Sequence, residues 1–99
     1  MIIAGRCGQA LELRADLREQ RFGEREGLTW AQAVARWGDD LRVGAGRVPG
    51  EERGDQFRQR VTGEFLLLAR RHRDDVAVCA AHGGTVLAVL AHVLGMAAE

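Results

Sequence analysis

The chain has 99 residues, of which 46% are hydrophobic and 28% charged, and its 14 basic and 14 acidic residues cancel. These values are typical of a soluble globular domain, alone or as part of a larger one, and exclude intrinsic disorder. The charge balance offers no basic surface, so we expect neither nucleic acid nor membrane as a partner. No apolar run reaches the ~20 residues that would cross a bilayer, and the N-terminus lacks the pattern of a signal peptide.

Residue types that are missing exclude two kinds of catalytic site. The chain contains no Ser and no Lys, so it has neither a serine nucleophile nor the lysine of a phosphate-binding loop. Cys7 and Cys79 follow no spacing pattern, which predicts reduced thiols and a cytoplasmic protein. The three histidines, His72, His82 and His92, fit no zinc pattern, so we expect no metal and no cofactor.

In the first half of the chain the sequence predicts one strand and one helix. Residues 11–22 alternate loosely in polarity, which favours an extended segment. Thr29 is the predicted N-cap of a helix over "WAQAVARW" that ends at Gly38. Residues 39–50 contain three glycines and the only proline, so they are predicted to form an exposed, mobile loop.

The second half is predicted to run helix, strand, helix. Residues 51–72 form the strongest helical pattern, with one apolar stripe made by Phe57, Val61, Phe65 and Leu68. The apolar run "VAVCAA" at 76–81 is typical of a strand covered on both faces, with Cys79 in the core. Residues 84–95 are apolar nearly all round, which predicts a mostly buried helix with His92 at the edge of the core.

The junction His82-Gly83-Gly84 lies between the predicted strand and the last predicted helix. Ligands of open α/β sheets bind beyond the carboxyl ends of strands, and a helix N-terminus attracts anions. The junction therefore indicates a phosphate site that includes His82, with an ordinary turn as the alternative. Cys79 precedes His82 by three positions in a strand, on the opposite face, which disfavours a Cys-His nucleophile.

Among the carboxylates, Glu19 is the preferred acid. It lies at the end of the first predicted strand, and a carboxyl group near a phosphate can protonate a leaving oxygen. Glu24 and Glu26 are interpreted instead as members of a solvated acidic loop.

Three segments together resemble the histidine phosphatase superfamily, the phosphoglycerate mutase-like proteins. "LREQRFGEREGLTW" is similar to the family's "L-x-E-x-x-x-G-x-x-E-G" segment. "PGEERGDQFRQRV" is similar to the "G-E-S…R" stretch that opens a long helix, and "VAVCAAHGGTVLAVLAHVLG" to the late strand, "HGG" turn and helix. They occur in the family's order and cover about residues 11–95.

The resemblance implies a fold and a mechanism. The fold would be α/β, an incomplete three-layer α/β/α phosphoglycerate mutase-like arrangement with a mostly parallel sheet. The activity would be phosphomonoester hydrolysis or transfer through a phosphohistidine, on a phosphorylated small molecule. Glu19 would be the proton donor, His82 the second histidine and Gly83 a backbone donor to the phosphate. Glu51 would match the acidic residue of "G-E-S".

One departure changes the expected activity. In the family the nucleophile is the histidine of an N-terminal "Arg-His-Gly", and this tripeptide is absent from the 99 residues. Residues 1–99 are therefore interpreted as a single partial domain that lacks the first strand and the nucleophile segment, and they are predicted to be inactive alone. The alternatives are a non-catalytic module that binds a phosphate ligand or a protein, and a remnant whose exposed sheet edge a homo-oligomer or another partner could cover.

Overall fold

The computed structural model describes residues 2–38 and 44–96, apart from the side chains of Ile2 and Ile3. Four α-helices lie in these ranges: α1 (Ile2–Arg6), α2 (Trp30–Trp37), α3 (Gly54–Arg71) and α4 (Gly83–Leu94). Two short 3₁₀ turns, Ala15–Leu17 and Gly23–Arg25, precede α2. The described ranges contain no β-strand, and their β pairing is limited to an isolated antiparallel bridge between Phe22 and Glu51.

The predicted α/β/α fold with a mostly parallel sheet is wrong for this structure, which is helical. Residues 76–81 have no regular secondary structure, and Val76 and Val78 are 92% and 84% exposed. A strand exists only where a neighbour pairs its backbone N–H and C=O groups, and the described part of the chain supplies no such neighbour. The strand predicted over 11–22 is absent for the same reason, and a 3₁₀ turn interrupts the segment.

Helix α2 confirms the prediction made from its cap. Thr29 Oγ1 accepts a hydrogen bond from the Gln32 backbone N–H, and the Gln32 side chain accepts one from the Thr29 N–H. Together these contacts form a capping box. Gly38 ends the helix with a φ of 90°, a conformation that favours glycine. Of the loop predicted next, residues 39–43 lie outside the described residues, and 44–50 form turns.

Helices α3 and α4 pack against each other and enclose the larger core. Phe57 and Val61 of the predicted α3 stripe are buried against Ala88 of α4, and Leu17 and Val89 pack at the edge of this cluster. The prediction of α3 is therefore confirmed, with bounds a few residues shorter. A smaller cluster joins Ala33 of α2 to Val48, with Trp37 beside it.

Helix α4 is much more exposed than predicted. Only Thr85 and Ala88 are buried in it, while Leu87 is 68% exposed. Cys79 and His92, placed in the core and at its edge by the sequence, are also exposed. Helix α4 packs on α3 and, at its first turns, on the segment 16–20, while most of its other residues are exposed. No helix among the described residues is long and apolar enough to cross a membrane.

Candidate functional site

The site lies where the segment 16–20 meets the first turn of α4. Glu19 Oε2 accepts a hydrogen bond of 3.1 Å from the backbone N–H of Gly84. Glu19 Oε1 accepts a second bond, of 2.9 Å, from the N–H of Gln20. A helix N-terminus presents unpaired N–H groups and the positive end of the helix dipole. The half-buried Glu19 carboxylate therefore occupies a position that favours an anion.

His82 and Gly83 stand beside this carboxylate at the beginning of α4. His82 is the N-cap residue, with an extended backbone (φ −80°, ψ 163°), and its side chain makes no capping hydrogen bond. The imidazole is exposed. A side chain added at Gly83 would meet open space, whereas one added at Gly84 would overlap the Glu19 carboxylate. Solvent thus reaches the first turn of α4 at His82 and Gly83.

Arg60 of α3 fixes the backbone around Glu19. Its Nη1 donates to the carbonyls of Asp16 (2.9 Å) and Arg18 (3.0 Å), and its Nη2 to that of Glu19 (3.4 Å). The guanidinium is itself held by two bonds to Glu52, from Nε to Oε2 at 2.9 Å and from Nη2 to Oε1 at 2.8 Å. Such a bidentate pair has a defined orientation.

Glu52 is charged although it is only 4% exposed. The hydrogen bonds from Arg60 lower the pKa of the Glu52 carboxyl, burial opposes that shift, and the N–H of Arg21 adds to it. Conversely, the Glu52 carboxylate raises the pKa of the Arg60 guanidinium. Both groups therefore remain ionised around neutral pH, so the clamp on residues 16–19 is present there.

Thr85 attaches the same segment to α4. Its side-chain hydroxyl lies 3.1 Å from the Leu17 carbonyl and 3.2 Å from the Arg18 carbonyl, and the residue is 2% exposed. One hydroxyl hydrogen is shared between the two acceptors. Together with Arg60, Thr85 connects both long helices to the backbone that carries Glu19.

The structure brings some of the sequence-predicted residues together and separates others. Glu19, His82 and Gly83 gather at the first turn of α4. Glu51 does not join them, because its carboxylate accepts bonds from the N–H groups of Gly44 (2.7 Å) and Val48 (3.4 Å).

The remaining acids and histidines lie apart from this turn. Glu26 accepts from the Phe22 N–H at 3.1 Å, and Glu24 is exposed. His72 lies 3.6 Å from Asp75 at the end of α3, and His92 lies in the last turn of α4.

Sequence reasoning missed Glu52, Arg60 and Thr85. A signal for Arg60 was present: it follows Phe57 by three positions and precedes Val61, so it borders the buried stripe of α3. A charge beside a buried stripe indicates a buried partner. The partner itself could not be found from spacing, since Glu51 and Glu52 are adjacent and only the folded chain shows which one turns inward.

The chain was compared with models of known protein families. The family model of the histidine phosphatase superfamily (branch 1) matches residues 1–99. The chain belongs to this superfamily. No curated protein and no solved structure matches it significantly. The superfamily includes phosphatases and mutases, so the chain is related to enzymes that act on phosphorylated compounds. Within the described residues, no group of three or more His, Cys, Asp or Glu side chains could hold a metal ion.

Proposed function

We propose that this chain carries the phosphate-binding and proton-donating part of a phosphomonoester hydrolase that acts through a phosphohistidine. The substrate class is a phosphorylated small molecule, bound at the first turn of α4. Both cysteines are free and exposed, which supports a reducing, cytoplasmic location. The observation that carries the proposal is the 3.1 Å contact between Glu19 and the Gly84 N–H.

That contact supports the proposal because it joins an acid to an anion-binding helix terminus. The N–H groups of Gly83 and Gly84 and the His82 imidazole would hold phosphoryl oxygens, as dipoles and hydrogen-bond donors do at such termini. When a phosphoryl group occupies this turn, its charge repels the Glu19 carboxylate and favours the protonated acid. Protonated Glu19 then lies within reach of the ester's leaving oxygen and can donate its proton there.

The 99 residues contain no Arg-His-Gly. A reaction through a phosphohistidine needs a nucleophilic histidine aligned with the phosphorus atom. His82 is assigned to hold the phosphoryl group, and the other histidines lie at the ends of α3 and α4. We therefore propose that these residues alone bind phosphate but do not turn over a phosphomonoester.

The test combines binding with turnover. Calorimetric titration with inorganic phosphate should show binding by the wild-type chain and weaker binding by His82→Ala. His92→Ala is the matched control, since it makes the same change in the last turn of the same helix. Hydrolysis of p-nitrophenyl phosphate should stay at background for all three proteins. The absence of phosphate binding by the wild-type chain would reject the assignment of the site, and turnover that His82→Ala abolishes would reject the inactive state.

The second candidate is a non-catalytic module that binds a phosphorylated ligand or a protein. The absence of an Arg-His-Gly from the 99 residues favours it, because such a module needs only the anion site. The test supplies an Arg-His-Gly segment of the same superfamily in trans to wild type and to Glu19→Gln. If both proteins bind phosphate and neither turns over a phosphomonoester, the result would support the module. Turnover restored in trans and lost in Glu19→Gln would support the hydrolase.

A further inference from the structure

Arg60 makes an unusual set of contacts for a residue in the middle of a helix. Its guanidinium reaches across from α3 to three carbonyls within residues 16–19, at 2.9, 3.0 and 3.4 Å. The last of these carbonyls belongs to Glu19 itself. Because one oriented guanidinium binds three carbonyls within four residues, Arg60 favours this path of the segment over others.

The orientation of Arg60 is fixed from two further sides. Glu52 binds it with two parallel hydrogen bonds, and the side chains of Arg60 and Glu52 are 13% and 4% exposed. The ring of Phe57 lies 5.2 Å from the guanidinium carbon, within the range of a cation–π contact. Because Arg60 and Glu52 are both largely shielded from solvent, the guanidinium has little freedom to change its orientation.

The geometry points to Arg60 as a positioning residue that holds Glu19 on the first turn of α4. The inference rests on the proposed function of that turn. An acid acts only when it stands within hydrogen-bond reach of its target, and a displacement of about 1 Å can be costly. Arg60, oriented by Glu52, sets the backbone of residues 16–19, and this backbone places the Glu19 carboxylate within 3.1 Å of the Gly84 N–H.

The readout is the Gly84 amide resonance, because its chemical shift follows the charge on the carboxylate that it contacts. The ionisable groups that face Glu19 are Arg60, with Glu52 and Asp16 around it, and His82 at the start of α4. Titration with acid, within the range where circular dichroism shows a folded chain, should move the Gly84 resonance. Glu19→Gln should abolish the part of the movement that belongs to Glu19, and His82→Gln should remove any part due to the imidazole.

Arg60→Met and Arg60→Lys are the test variants, with Arg70→Met as the matched control on an exposed turn of the same helix. Lysine retains the charge and can pair with Glu52, but one ammonium group cannot replace a planar fork with bonds to Glu52 and three carbonyls. We expect both Arg60 variants to lose most of the Glu19-dependent movement of Gly84, while Arg70→Met keeps all of it. If Arg60→Met fails to fold, Arg60→Lys carries the test.

The inference is overturned if a folded Arg60→Lys protein shows the wild-type movement of Gly84, because charge alone would then suffice. It is equally overturned if Arg60→Met is folded and unchanged in this titration. Phosphate binding is a separate measurement on the same proteins. If the wild-type chain binds no phosphate, the proposed function is rejected, and the positioning of Glu19 by Arg60 can still be measured. If the wild-type chain binds phosphate but the Arg60 variants keep the wild-type movement of Gly84, only the positioning is rejected.

Discussion

A hydrogen bond of 3.1 Å joins the N–H of Gly84 to the carboxylate of Glu19, 65 positions earlier in the chain. It connects the segment 16–20 to the first turn of α4, where His82 and Gly83 also lie. Because a carboxylate already occupies the helix N-terminus, an incoming phosphoryl group must displace, neutralise or share that contact. This competition makes Glu19 the most informative residue of the site.

Replacement of Gly84 by alanine should separate the two groups. A Cβ at Gly84 would lie 3.0 Å from the Glu19 Cδ, closer than such atoms pack, so the flexible carboxylate must swing away. The helix remains, since alanine is the better helix former. We expect Gly84→Ala to be less stable than Gly83→Ala by about 1 kcal/mol, from the lost hydrogen bond. Gly83→Ala is the matched control because its Cβ would meet open space. Equal urea midpoints for the two variants would contradict the contact.

Thr85→Val should destabilise the chain by about 1–3 kcal/mol, because it leaves the part-buried Leu17 carbonyl without its donor, whereas the Arg18 carbonyl keeps Arg60. Thr85 is 2% exposed, and its hydroxyl donates to the carbonyls of Leu17 and Arg18, which lie outside α4. Thr62→Val is the control, since the Thr62 hydroxyl donates at 2.7 Å to Arg58 within its own helix. Chemical denaturation of both variants measures the difference, and equal losses would argue against an anchoring role for Thr85.

The Glu52–Arg60 pair predicts a specific acid sensitivity. Because the folded pKa of Glu52 is lowered below its ordinary value of 4.5, its contribution to stability is complete well above pH 4.5 and is lost as the pH falls through the folded pKa. Glu52→Gln should reduce the free energy of unfolding at pH 7 by about 3–5 kcal/mol, since Arg60 stays buried without its counter-charge.

The control for this pair is Glu24→Gln, which removes an exposed carboxylate. Urea unfolding of wild type, Glu52→Gln and Glu24→Gln should be compared from pH 7 down to pH 3. The gap between wild type and Glu52→Gln should narrow below about pH 4.5, while Glu24→Gln follows the wild type. A gap that stays constant with pH would show that Glu52 acts through packing rather than charge.

Arg25 offers a way to stabilise the fold. Its Nε and Nη2 atoms are buried and have no hydrogen-bond partner in the described part of the chain. Arg25→Met keeps a long side chain and removes these unpaired donors, so the free energy of unfolding should rise by about 1–3 kcal/mol. Arg73→Met, at an exposed position, should have little effect. A melting temperature that falls in Arg25→Met would show that the guanidinium is satisfied by solvent.

The sequence predicted those elements whose signals are local. Thr29 marks the start of α2 through a side-chain capping bond, and Gly38 marks its end through a positive φ, and neither effect depends on distant partners. The apolar stripe that contains Phe57 and Val61 is likewise a local signal, and it predicted α3. The grouping of Glu19 with His82 and Gly83 came from a family resemblance, and the structure places these residues at one turn.

The structural predictions that failed are those in which distant partners decide the outcome. An apolar run such as 76–81 becomes a strand only when another strand pairs with it, and its composition cannot reveal whether that neighbour exists. The burial expected for α4 failed for a related reason, since among the described residues its apolar side chains are covered only where α3 and the segment 16–20 pack. Of the two adjacent glutamates, Glu51 accepts a hydrogen bond from Gly44 in its own loop, and Glu52 accepts one from Arg60. The spacing of residues does not determine which glutamate contacts Arg60.

The most direct test of the phosphate site is a titration with inorganic phosphate at constant pH, followed by amide NMR spectra. The resonances of Gly83 and Gly84 should move most. His82→Ala should weaken binding, and Glu19→Gln should tighten it by about tenfold, because it removes a like charge beside the anion. Phosphate that leaves the Gly83 and Gly84 resonances unmoved, or that shifts residues elsewhere in the chain instead, would contradict the assignment of this turn as the binding site.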